Sequence, residues 1–169
     1  QFYRYSFRFR SFRFDFMTAV QLLSTCPKKA VELILKDFGA RIGNNCDINA
    51  HLHFNNCFRR SFSNLSIGSG THIGIDVFFD LLDEVIIGKN CSVSLKSMFI
   101  THQDLGHSVL KEIYPPEKGK ICIGDNCFEV TAEQGSEAEA TLTLDNGTYA
   151  VTCDGGSWQS EVSWEILDS

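Results

Sequence analysis

In the run IGSGTHIGIDVFFD, Ile67-Gly68 and Ile73-Gly74 stand six residues apart, and Phe79-Asp80 follows six further on. An α-helix returns its apolar residues at three, four and seven, and a strand at two, so a spacing of six belongs to neither by itself. The same spacing joins Ile42, Ile48 and Phe54, then Ile87, Val93 and Phe99, and Ile123 opens a further hexad. Such a repeat restricts the chain to architectures in which one short unit stacks on the next.

The geometry that fits is a triangular coil. Each hexad supplies one short strand and one turn, the apolar residue points inward, and the next coil adds a parallel strand above it. Three positions after the leading residue come Asn45, Gly70, Asp76, Asn90 and Asn126, types that accept the left-handed backbone of a tight corner. One position later stand Cys46, Thr71, Val77, Cys91 and Cys127, slim side chains for a narrow interior. After Phe99 the register stops for ITHQDLGHSVLKEIYPPEKGKI and resumes at Ile123, which predicts a loop expelled from one corner. Insertions of this kind tend to carry function.

The hexads IGNNCD, IGSGTH, IGIDVF, IGKNCS and IGDNCF resemble those of the left-handed parallel β-helix acyltransferases, over about residues 39–128. The stretch FITHQDLGHS…PPEKGKICIGDN is similar to the corresponding loop of sugar and antibiotic O-acetyltransferases in that class. The resemblance implies that His102 is the catalytic base and that acetyl-coenzyme A is the co-substrate, bound between subunits of a homotrimer, with no metal required. It also implies that Asp76 and Asp80 face the acceptor or the histidine. A neutral imidazole can take the proton of a hydroxyl as that oxygen attacks a thioester. The acceptor itself, a sugar or another small hydroxyl compound, has no readable code. Two alternatives stay open. One is a trimeric β-helix zinc enzyme resembling a carbonic anhydrase, with His72, His102 and His107 as ligands. The other is a non-catalytic β-helix lacking its coenzyme coils, because IGDNCF is not followed by further hexads.

The expected fold is therefore all-β: a β-helix over 40–128, a short amphipathic helix over 26–39 and an antiparallel meander over 129–169. The helix is read from Val31, Ile34, Leu35 and Phe38 on one face, between Pro27 and Gly39. The meander is read from TLTL, TYAVTC and EVSWEIL separated by DNG and DGG. All fifteen Lys and Arg precede residue 129, whereas the tail beyond it is purely acidic, which suggests an appendage of separate origin. Residues 1–25, opening FYRYSFRFRSFRFDFM, read as an aromatic and basic arm: an edge strand, a disordered segment, or residues ahead of a start at Met17. Interleaved Arg and Phe also suit base stacking or a membrane surface, although no nucleic-acid partner is expected. No apolar run is long enough for a membrane span or shaped as a signal peptide. Seven cysteines without a CxxC, three of them at packing positions, favour reduced thiols and a cytoplasmic location.

Overall fold

Strands of two or three residues bury too little alone, so the hexads must pair across layers, and they do. The computed structural model describes residues 1–127, and the expected meander over 129–169 lies outside them. The first layer holds β1 (Arg41–Ile42), β2 (Asp47–Ile48) and β3 (His53–Asn55); the second β4 (Leu65–Ile67), β5 (His72–Ile73) and β6 (Phe78–Asp80). The third holds β7 (Val85–Ile87), β8 (Ser92–Val93) and β9 (Met98–Phe99). A hairpin of β10 (His102–Gln103) and β11 (Glu117–Lys118) then leaves the stack, and β12 (Ile121–Ile123) rejoins it. Three parallel sheets result, in the orders β1-β4-β7-β12, β2-β5-β8 and β3-β6-β9.

The register is the one that the hexads predict. Ile42 pairs with Ile67, Ile67 with Ile87 and Ile87 with Ile123; Ile48, Ile73 and Val93 align in the second sheet and Phe54, Phe79 and Phe99 in the third. The corner residues Asn45, Gly70, Asp76, Asn90 and Asn126 all have positive φ. His51 and Lys96 hold the same place after Ile48 and Val93 and are left-handed too, at φ 60° and 61°, so the corner imposes its backbone even on residues that resist it. The slim inner residues donate to the layer above: Cys46 Sγ to Gly68 O at 3.1 Å, Thr71 Oγ1 to Gly88 O at 2.8 Å and Cys91 Sγ to Gly124 O at 3.0 Å. Glycine is obligatory at Gly68 and Gly88 of that column. A Cβ on Gly68 would lie 2.4 Å from the carbonyl carbon of Gly88, with backbone on the far side that cannot swing away.

Two expectations need correction. The chain is mixed rather than all-β, because residues 1–39 form three helices: α1 (Phe2–Arg13), α2 (Phe16–Val20) and α3 (Lys28–Asp37). The segment read as an arm or edge strand is α1 and α2, followed by a 3-10 turn over Gln21–Ser24. The physical reason is tertiary. Phe7 is fully buried, with ring centroids 5.7 Å from Phe16 and 4.7 Å from Phe38, and Arg4 grips Asp37 of α3 through two hydrogen bonds of 2.7 and 2.6 Å. Asp15 caps α2, accepting from Thr18 N at 2.8 Å. The helix expected over 26–39 is α3; Val31, Ile34 and Leu35 are fully buried, Pro27 is its N-cap, and Gly39 follows its end at φ 100°.

An aromatic column joins helices to layers. Phe79 stacks between Phe54 at 5.4 Å and Phe99 at 5.1 Å, and Phe62 connects Phe54 (4.9 Å) to Phe16 (5.2 Å). The helices thus cover the first layer's end of the core. All six described cysteines are free thiols, with Cys26 and Cys91 buried. Among the described residues no helix is long and apolar enough to cross a membrane.

Candidate active site

Pairing of β6 with β9 sets Phe79 beside Phe99, so Asp80, one residue on, meets the chain where it leaves the stack. The Asp80 side chain is 1% exposed, and a carboxylate so buried must be saturated with donors. Four donors reach it. Asn56 Nδ2, from the layer below, donates to Oδ1 at 2.7 Å. Thr101 donates to Oδ2 through its backbone N at 3.0 Å and its hydroxyl at 2.7 Å, and His102 Nδ1 lies 2.6 Å from the same oxygen. Thr101 Oγ1 in turn accepts from Asp83 N at 3.1 Å, which locks the hydroxyl's direction.

Burial pushes the Asp80 carboxyl up, but the hydrogen bonds from His102, Asn56 and Thr101 together outweigh it and hold the group below the usual carboxylate range. An ionised carboxylate only accepts, so Nδ1 of His102 carries the hydrogen of this contact. In the neutral ring Nε2 is then the acceptor, and it has no hydrogen-bond partner among the described residues. Cys57 stands nearby, but burial, reinforced by the charge of Asp80, pushes its thiol up to about 12, so it is no nucleophile near neutral pH.

His102 is partly exposed and lines an open groove of about 380 Å³ with Ile100, Thr101, Gln103 and the strand opposite, where it pairs with Lys118. Lys118 and Lys120 line the same groove. The structure therefore joins two of the three site residues expected from sequence and separates the third. Asp80 meets the histidine, one of the two partners expected for it, from behind and buried. Asp76 lies in the turn before β6, at the opposite end of that strand, where its carboxylate is 3.6 Å from His53 Nε2. Asn56 and Thr101 were missed, although the stacking register that sets Asn55 beside Asp80 points to the first and the one that sets Phe79 beside Phe99 points to the second. His72 is 2.9 Å from Asp47, and His107 is exposed on the expelled loop; among the described residues no three His, Cys, Asp or Glu side chains gather as a metal-binding group.

The same network gives the site an acid limit. A carboxyl whose folded pKa lies below its unfolded value, about 4, contributes stability that is fully present above that value and is lost as pH falls through the lowered one. Asp80 and Asp37, the latter held down by its hydrogen bond from Arg4, both act in this direction. The thermal midpoint is expected to hold above about pH 5 and to fall below about pH 4, with a shallower fall in Asp80→Asn. Calorimetry across that range checks it.

Compared with protein-family models, curated proteins and solved structures, the chain matches none of them.

Proposed function

We propose that the stacked layers over 40–127 are coils of a left-handed parallel β-helix, and that the protein moves an acetyl group from acetyl-coenzyme A to a hydroxyl of a small acceptor. The observation that carries this reading is the Asp80–His102 pair at the edge of an open groove, with Nε2 of His102 unpartnered among the described residues. In this mechanism Nε2 accepts the acceptor's hydroxyl proton while the oxygen attacks the thioester carbon. The tetrahedral intermediate then collapses, its C–S bond breaks, and the imidazolium returns the proton to the departing thiolate. Asp80 keeps the ring in the required tautomer and stabilises the imidazolium, while Asn56 and Thr101 keep Asp80 from turning away. Lys120, and Lys118 once it leaves its 3.5 Å ion pair with Asp83, offer ammonium groups on the groove to a coenzyme that carries phosphates. Asp76 has no part in this chemistry.

The groove is open on one side, and in this reading a neighbouring subunit of a homotrimer supplies the missing wall. Buried free thiols suit a reducing compartment such as the cytoplasm. The test is release of free coenzyme A thiol from acetyl-coenzyme A by the 169-residue chain with a panel of sugars and other small alcohols, alongside light scattering. Acceptor-dependent thiol release by a trimer is expected. A folded monomer that releases none with any acceptor overturns the reading.

A further inference from the structure

Helix α1 has two apolar faces, and the fold uses one. At about 100° per residue, Tyr3, Phe7 and Ser11 share the side turned to the core, where Phe7 is fully buried and Ser11 nearly so. Phe2, Tyr5, Phe9 and Phe12 fall within an arc of about 80° on the opposite side, and all four are exposed, Phe2 at 76% and Phe12 at 88%. Phe14, just past the helix, is exposed as well. On the wheel Arg4 and Arg8 flank one edge of this stripe and Arg10 and Arg13 the other. The helix contains no acidic residue. Arg4 and Arg8 pair with Asp37, whereas Arg10 and Arg13 are exposed and have no carboxylate partner among the described residues.

We propose that this outer face of α1 docks on an anionic lipid bilayer surface, lying in the interface plane with its four aromatic rings among the acyl chains and its arginines at the headgroups. Three observations select this occupant. The rings form one continuous stripe bordered by guanidinium groups on both sides, and Arg10 and Arg13, which have no carboxylate partner among the described residues, can lay their stems along the apolar boundary and their charges among lipid phosphates. The charge is of one sign, which suits an anionic surface and opposes self-pairing, since a twofold contact of this face with its own copy would set arginines against arginines. The face is convex and regular, whereas base stacking on a single strand calls for a charged groove that tracks the backbone. The helix is also held in place beforehand by Phe7 and Asp37, so docking does not have to fold it.

The experiment is flotation of the full 169-residue chain with vesicles of phosphatidylcholine alone and with about one third phosphatidylserine. Two double variants, Phe9→Ser/Phe12→Ser and Arg10→Gln/Arg13→Gln, accompany it. All four side chains are exposed, so circular dichroism and thermal midpoint should match the parent and show that both variants are folded. Binding to the phosphatidylserine vesicles is expected, weaker by about tenfold or more on neutral vesicles, in raised salt and in either variant. No flotation with anionic vesicles, or equal flotation of parent and both variants, overturns the proposal. So does binding to a labelled single-stranded oligonucleotide, or a drop in light-scattering mass in the aromatic variant, if either occurs without vesicle binding.

Discussion

On the proposed reaction, replacing His102 by Ala is expected to lower acetyl transfer by a factor of about a hundred to ten thousand, the usual cost of losing a general base. The effect on stability is smaller. His102 is one of four donors to Asp80, and the groove admits water to replace it, so the loss is about 1 kcal/mol, a few degrees in thermal midpoint. His102→Asn, which offers Asp80 an amide donor without a base, should lose the rate and recover part of the midpoint. His107→Ala, on the exposed loop, should leave the rate within about twofold and stability within about 0.5 kcal/mol. Asp80→Asn should also slow turnover, because an amide facing Nδ1 no longer holds the tautomer that leaves Nε2 free to accept. Steady-state rates with acetyl-coenzyme A and melting curves for the four variants separate chemistry from folding. Equal rate loss at His102 and His107 would remove the base assignment.

Replacing Phe79 by Ala should produce the largest loss of stability. Its ring is fully buried and stacked on both sides, so truncation removes apolar burial, aromatic contact and close packing together. The expected cost is about 3 to 5 kcal/mol, a large part of the roughly 5 to 15 kcal/mol that holds a domain of this size folded. Phe12→Ala, whose ring is exposed on α1, should cost less than about 0.5 kcal/mol. Urea denaturation of both variants checks the contrast. Activity should fall with Phe79→Ala as well, because Asp80 is the next residue and its position depends on the column. A Phe79 variant as stable as the parent would mean that the stacked rings do not hold the layers in register.

The stacked layers were legible because the repeat is local. Once Ile67 and Ile73 are each followed by a corner residue at a fixed distance and Phe79 keeps the six-residue spacing, the chain has no choice about which face turns inward, and the cross-layer pairs Ile67–Ile87 and Phe79–Phe99 follow from alignment alone. The break after Phe99, and with it the position of His102 at the head of the loop, could be read for the same reason. What surrounds His102 was not local. Asp76 and Asp80 stand at opposite ends of one strand and look alike in sequence; only the pairing of β6 with β9 and the return of Asn56 from the layer below decide which carboxylate is buried behind the imidazole. The first helices were further from reach. The period-two alternation of rings and arginines in FYRYSFRFR suits a strand, and it becomes a helix because Phe7 fits among Phe16, Phe38 and Phe62 and Arg4 meets Asp37. By itself the sequence determined the layered architecture, through steric and apolar demands that recur every six residues. Only the tertiary structure decided which polar side chains face one another and which face of α1 is left bare, since both depend on contacts between segments with no repeat to relate them.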